Sequence, residues 1–262
     1  MTFDFEGKTA LVTGAAGAIG KAVAEGFAEG GARVFITDLN QDAVDAAAKE
    51  ISGGGGFCEG LAADVTVGEQ VEAVVSAASK ALGGRIDILV NVAGIVAQGP
   101  VEDIPVEEWD RVFAVNCRGS FLFIKYAVGL MKANSFGRII NFSSKSGKTG
   151  SAVMSHYSAA KAAIIGLTQS LAFELADSGI NVNCLCPGIT EATGVWNNVS
   201  SGYVRNLNLP IEEVIKKFTA KVPLKRLAKI KDVVAVTLFL ASEGGDYMTG
   251  QAINVTGGRE MH

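Results

Sequence analysis

A doubly wound α/β domain on a parallel, seven-stranded sheet with helices on both faces is the architecture this sequence predicts. Three observations predict it. Short β-branched runs alternate with amphipathic stretches along nearly all of the 262 residues. Runs such as Ile88-Leu89-Val90 are apolar without alternation, which fits strands buried on both faces of a parallel sheet. A glycine-rich turn, Gly14 to Gly20, follows the first run and opens a helical pattern.

Taken in order, the strands read as Thr9 to Thr13, Arg33 to Thr37, Phe57 to Asp64, Ile86 to Ala93, Arg138 to Ser143, Asn181 to Cys186 and Ala252 to Val255. Helical patterns fill the intervals, and Gly53 to Gly56 reads as a turn before the third strand. No Pro/Ser-rich linker divides the chain, so residues 1–262 read as one dinucleotide-binding and catalytic domain. Residues 189–222 break the rhythm, with a polar stretch Asn197 to Gly202 and a helix near Ile211 to Ala220. In open α/β sheets ligands bind beyond the carboxyl ends of the strands, where such an insertion serves as a lid; a packing excursion or an oligomer contact is the alternative.

Hydrophobic residues make up 48% of the chain, ample for a large core. A net charge of −4 argues against nucleic acid as the main partner. Met1 to Glu6 lacks the segments of a signal peptide, and no apolar run reaches roughly 18 residues, so no membrane association is expected and the cytoplasm is the expected location. Cys58, Cys117, Cys184 and Cys186 fall in segments read as buried, where free thiols act as small apolar groups. Cys184 and Cys186 share a strand face without further ligands nearby, and the only histidines are His156 and His262, so no metal is expected.

Tyr157 and Lys161 stand four apart at the start of a helical stretch and share a face. A phenol titrates at about 10, and a fixed positive charge beside it favours the phenolate, which makes the pair a proton-handling device. At the first β-α junction, Gly14, Ala16, Gly17, Ala18, Ile19 and Gly20 offer a tight turn and free helix amides to a pyrophosphate. Asp38 ends the second strand, where a carboxylate holds ribose hydroxyls and repels a 2′-phosphate; no Lys or Arg stands at Ala15 or Leu39, so NAD is expected rather than NADP. The alternative for Asp38 is a cap on the helix near Gln41.

Together these residues resemble the short-chain dehydrogenase/reductase family, a Rossmann-type group, from Lys8 to Gly258. The glycine segment is similar to the family's TGxxxGxG, Asp64-Val65 to its adenine-contacting pair, Asn91-Val92-Ala93-Gly94 to NNAG, and Tyr157 to Lys161 to YxxxK. Asn116, Ser144 and Pro187-Gly188, continuing into Ile189 and Thr190, match as well. Two positions depart: Ala18 replaces a glycine, tolerated where φ is negative with Gly17 absorbing strain, and Val92 replaces an asparagine, leaving the hydrogen bonding at that strand end open.

The resemblance implies that Tyr157 passes a proton to or from the substrate oxygen while hydride moves between substrate carbon and nicotinamide. Ser144 positions that oxygen, Lys161 holds the nicotinamide ribose and depresses the Tyr157 pKa, and Asn116 anchors a water. A closer likeness, in Ser143 to Lys148, Pro187 to Gly194, Lys221 to Arg226 and Thr249 to Gly258, is to the branch that interconverts sorbitol 6-phosphate and fructose 6-phosphate using NAD. Lys145 and Lys148 flank Ser144 and are candidates to receive the phosphate, with Glu191 also a substrate candidate and Arg118, Lys216 and Lys217 weaker ones; the alternative is solvated surface lysines. An unphosphorylated polyol or other secondary alcohol, a 3-oxoacyl-carrier-protein reductase, and a non-catalytic dinucleotide-binding scaffold are the competing readings. The family also implies a homotetramer built through the helices around Val106 to Lys132 and Tyr157 to Ala176, where Phe121, Phe123, Leu167, Leu171 and Phe173 serve either the contact or the core.

Overall fold

The computed structural model describes residues 3–194, 196, 200, 204 and 209–262. Its centre is a parallel sheet of β1 (Thr9–Thr13), β2 (Arg33–Thr37), β3 (Phe57–Gly60), β4 (Ile88–Asn91), β5 (Gly137–Phe142), β6 (Ile180–Pro187) and β7 (Ala252–Val255), in the order β3-β2-β1-β4-β5-β6-β7. The order reverses between β1 and β4, and the crevice beyond their carboxyl ends is the switch point of a doubly wound sheet.

Side-chain alternation sorts the core into two layers. Ala10 and Val12 face α1 (Ala18–Glu29), α2 (Gln41–Gly53) and α9 (Ile230–Ala241), packing with Val23, Phe27 and Leu240. Leu11 and Leu89 face α3 (Gly68–Ala81), α5 (Gly119–Ala133) and α7 (Ser155–Leu175), packing with Val74, Phe123 and Leu175. Phe123 is thus core, with Leu167 and Leu171 packed against the same layer, whereas Phe121 and Phe173 are exposed.

β3 and β4 are shorter than the sequence predicts, because side chains and turns take over the backbone at their ends. After Gly60 the ladder gives way to single bonds from Leu61 N to the Ile36 carbonyl and from Ala63 N to the Asp38 carbonyl. Before β4, the buried Asp87 carboxylate accepts from Thr9 N (2.9 Å) and Thr9 Oγ1 (3.0 Å) while Arg85 neutralises it. Asn40, not Asp38, caps α2, accepting from Ala43 N at 2.9 Å.

Of the expected lid, α8 (Ile211–Thr219) is present, with Val214 buried, acidic residues in its first turn and Lys216 and Lys217 in its last. The Asn197 to Gly202 stretch, apart from Ser200, lies outside the described residues. Among the described residues no helix is long and apolar enough to cross a membrane.

Gly20 sets how closely α1 approaches the turn before it. A Cβ there would stand 2.2 Å from the Gly14 carbonyl oxygen. Gly20→Ala is expected to cost about 1–3 kcal/mol, read as a lower denaturant midpoint at unchanged slope; an unaltered midpoint would show that the turn can retreat.

Candidate active site

The dinucleotide end of the crevice is built from backbone. Gly14 carries the positive φ of the turn (67°), and a Cβ on it would lie 2.8 Å from Ala93 Cα. Gly17 is the N-cap of α1 with ordinary extended angles (φ −80°, ψ 155°) and no side-chain cap, so it absorbs no strain, and Ala18 is the first helical residue. The sequence places the strain one turn residue group too late: a glycine's φ is set by the path of the chain, which spacing alone does not reveal. With Gly17 and Ala18 exposed, the uncapped amides of α1 are available to a pyrophosphate.

Asp38 ties this turn to β2. Its Oδ2 accepts from Ala16 N at 2.9 Å and its Oδ1 from Leu39 N at 2.7 Å. Leu39 is exposed beside it, Asp64 accepts from the Thr66 amide and hydroxyl, and Val65 is buried against Gly119.

At the end of β4 the Thr13 hydroxyl accepts from both Val92 N and Ala93 N at 3.1 Å, which settles the hydrogen bonding there without an asparagine at 92. Val92 itself packs against the first core layer. The Asn91 amide lies inside the sheet, donating to Asn141 Oδ1 at 2.9 Å, and Asn141 donates to Thr168 Oγ1 at 3.0 Å. Asn91 is marked in the sequence by the NNAG likeness, whereas Asn141 and Thr168 are joined to it only by the packing of β5 and α7.

The reacting end gathers Asn116, Ser144, Tyr157 and Lys161. Between α4 (Val106–Phe113) and α5, residues Ala114–Arg118 form a π-helical turn. It aims Asn116 inward, where Nδ2 donates to the carbonyls of Ile95 (2.9 Å) and Val112 (3.0 Å) and Oδ1 is buried without a hydrogen-bond partner among the described residues. Gly94 keeps this space open, since a Cβ would lie 2.6 Å from Asn116 Oδ1 and 3.2 Å from Lys161 Nζ. Ser144 caps the one-turn α6 (Lys145–Thr149), accepting from Ser146 N at 3.1 Å, and its hydroxyl stands near enough to the Tyr157 phenol to lower the phenol's pKa. Lys161 Nζ donates to the Phe142 carbonyl at 2.8 Å and stands 5.8 Å from the centroid of the Tyr157 ring.

Electrostatically the pair departs from expectation. Burial raises the Tyr157 pKa, opposed by the Ser144 hydrogen bond. Burial also lowers Lys161 to about 8, with the thiols of Cys117, Cys184 and Cys186 drawing it back up. Desolvation among Val112, Met154, Ala160 and Ile95 disfavours the charged form of both groups, and it outweighs the pairing that helical spacing predicts. Ser144, not Lys161, is what lowers the phenol here.

The substrate candidates part ways. Lys145 donates to Ser151 Oγ at 2.8 Å and lines a cavity of about 280 Å³ with Gly188, Ile189, Asn254, Thr256 and Arg259. Lys148 instead donates to the Ala252 carbonyl at 2.6 Å, which turns its ammonium to β7 and away from the cavity lining. Glu191 is exposed, with its amide on the Ala228 carbonyl, while Thr190 is buried and Pro187 ends β6. Arg118 is exposed and Lys216 pairs with Glu213 at 3.6 Å. Arg259 at the cavity went unnoticed in the sequence because only the fold-back of the tail brings it there.

A glycine-rich turn with free helix amides, a carboxylate at the end of β2 and a buried phenol with a hydroxyl beside it fit an oxidoreductase of alcohols and carbonyls. A family model described as "Enoyl-(Acyl carrier protein) reductase" matches residues 14–260, and the chain belongs to the short-chain dehydrogenase/reductase family. Over 98% of each chain it is 39% identical to a sorbitol dehydrogenase of Cereibacter sphaeroides. It is similar to the crystal structure of sorbitol-6-phosphate 2-dehydrogenase from Erwinia amylovora, with a TM-score of 0.93 and 38% identity, covering 97% of this chain and 100% of that one. A variant of actinorhodin polyketide ketoreductase with NADPH matches with a TM-score of 0.93 and 33% identity, covering 97% and 98%.

The titration of Lys161 has a measurable sign. Unfolded, it holds its proton up to its ordinary 10.5, and folded only to about 8. Between those values the unfolded chain binds more protons, so rising pH stabilises the fold. Lys161→Met removes this contribution: wild-type stability minus variant stability is expected to climb from pH 8 towards 10.5 by on the order of 3 kcal/mol, measured by chemical denaturation. A flat difference would place the amine in water.

Proposed function

We propose that this protein is an NAD-dependent polyol dehydrogenase whose substrate pair is sorbitol 6-phosphate and fructose 6-phosphate. The observation that carries the reading is the gathering of Ser144, the buried Tyr157 phenol, Lys161 and Asn116 at one end of the crevice. Gly14, the amides of α1 and Asp38 would hold the dinucleotide, with Leu39 and Asp64-Val65 at the adenine and Ala93, Gly94 and residues 187–190 along the nicotinamide half. When bound, a nicotinamide dinucleotide accepts hydride from an alcohol carbon or returns it to a carbonyl.

The chain's own groups manage the proton and the geometry. Tyr157 Oη takes the hydroxyl proton in oxidation and gives it back in reduction, and its raised pKa keeps it protonated and ready for the latter at neutral pH. Ser144 donates to the oxygen on which charge develops, from a position its capping bond has already settled. Asn116 Oδ1, buried and open to a donor, fits the water that the resemblance implies, beside Lys161.

Asp38 supports NAD over NADP, since a carboxylate at the end of the second strand would repel a 2′-phosphate. Sorbitol 6-phosphate is supported by the likeness to enzymes of sorbitol and its phosphate. Residues 189–222 as a lid, a cytoplasmic homotetramer through the exposed Phe121 and Phe173, and a small-molecule rather than nucleic-acid or membrane partner complete the proposal.

Tyr157→Phe is expected to lower turnover by about 10²- to 10⁴-fold with NADH affinity, read by fluorescence, unchanged; near-normal turnover would move the proton step elsewhere. Asp38→Ala is expected to narrow the preference for NAD in kcat/KM and to weaken both dinucleotides by freeing the Ala16 amide, and a wild-type preference for NADP would overturn the cofactor reading. Sorbitol 6-phosphate is expected to exceed sorbitol in kcat/KM by tenfold or more, about 1.4 kcal/mol, and equal values would favour the unphosphorylated polyol.

A further inference from the structure

The cavity that Lys145 lines, next in sequence to Ser144, holds groups that the dehydrogenase chemistry leaves unused. It is bounded by the ends of β6 and β7 and by Phe218 of α8, and Lys145 and Arg259 both line it. Arg259 reaches it because the chain reverses after β7. Gly257 and Gly258 take positive φ (66° and 89°), and a Cβ on Gly258 would lie 2.9 Å from Pro223 Cγ. The tail then locks onto β7: Thr256 Oγ1 donates to the Glu260 carbonyl (3.2 Å) and accepts from Glu260 N (3.3 Å), and Asn254 Nδ2 donates to the same carbonyl (3.1 Å).

We propose that Lys145 and Arg259, backed by the nearby charge of Lys221, form a subsite for an anionic group, a phosphate or a carboxylate, at the far end of an extended alcohol substrate, so that the folded-back tail helps to choose the substrate. Only the identity of the alcohol rests on the function proposed above.

The charge balance points this way. Arg226 also lines the cavity, but Asp232 holds it through both oxygens (2.5 and 3.2 Å). Arg259 Nε lies 3.2 Å from Glu260 Oε1, and its outer guanidinium nitrogens make no hydrogen bond among the described residues, which leaves them for a planar or tetrahedral anion. Lys145 gives one of its three donors to Ser151. Burial lowers the Lys145 pKa, and the charges of Arg259 and Lys221 lower it further while Glu260 opposes them, so cations outnumber carboxylates around the ammonium. The Glu260 side chain, nine-tenths buried, stands behind Arg259 rather than lining the cavity. Lys145 directly follows Ser144, so a substrate whose reacting oxygen meets Ser144 extends naturally towards this side.

The test uses the full chain and inorganic phosphate as probe. Calorimetry at neutral pH is expected to show phosphate binding that weakens about tenfold in Lys145→Met and in Arg259→Gln, the range for one lost charge-assisted contact. Lys221→Gln, at an exposed position, is expected to weaken it a few-fold without touching a buried bond. In turnover, Arg259→Gln is expected to lower kcat/KM for sorbitol 6-phosphate at least tenfold while leaving sorbitol within about twofold; a matching loss on gluconate but not on the phosphate would assign the subsite to a carboxylate. Phosphate binding with these variant effects, in a protein inactive on sorbitol 6-phosphate, would retain the subsite and discard that substrate. Absent phosphate binding, or binding unchanged in all three variants, would overturn the inference whatever the protein oxidises.

Discussion

An amine buried among apolar groups and thiols is the constraint on which the rest of the site depends. Lys161 is 5% exposed and rests on one backbone carbonyl, that of Phe142. Such a group is stable only where its surroundings are rigid, because each missing donor contact is costly away from water. The neighbouring cysteines suit the task. Cys117 is occupied by the Ala160 carbonyl at 3.1 Å, and Cys184 and Cys186 are fully buried. A carboxylate among them would hold Lys161 fully charged and compete for the proton; thiols leave it close to the pH at which it can exchange one.

That rigidity comes from the sheet through a chain of side-chain hydrogen bonds. Asn91 on β4 bonds to Asn141 on β5, its register partner, and Asn141 bonds to Thr168 on α7. Thr168 lies two turns beyond Lys161 and on the same side of the helix. The ladder therefore fixes the rotation of α7 about its axis, and with it the aim of Lys161 and Tyr157. Parallel strands end at a common edge, so the same construction sets Thr13 and Gly14 of the dinucleotide end at a fixed distance from the phenol.

The strands and the tetrad were legible because they depend on periodicity and local spacing. All seven strands lie where the β-branched runs place them, and Asn116, Ser144, Tyr157 and Lys161 do converge. What escaped depends on tertiary surroundings. Helical spacing brings Lys161 near Tyr157 but says nothing of the solvent excluded by Val112 and Met154, which reverses the direction of the Tyr157 shift. Three residues of separation put Lys148 on the same side of α6 as Lys145, yet β7 offers a carbonyl to one and the cavity takes the other. The tail is silent in sequence because its role arises from two glycines reversing the chain onto Thr256.

The run Ser143 to Lys148 shows how much positioning one turn of helix can hold. Ser143 Oγ donates to the Lys161 carbonyl at 2.7 Å, tying α7 to the end of β5. Ser144 stands near the Tyr157 phenol, and its cap on Ser146 N restricts its rotamer there. Ser146 and Lys145 both meet Ser151, which steadies the loop over the cavity. A Cβ on Gly147 would lie 2.7 Å from the Lys161 backbone carbon, so glycine is what permits the two helices to touch. Lys148 then anchors the far end of the turn to β7. Because each hydroxyl and ammonium is already committed in direction, the entropy of orienting the substrate oxygen has been met in folding rather than at each turnover. The site is therefore preorganised by α6 as much as by the sheet beneath it.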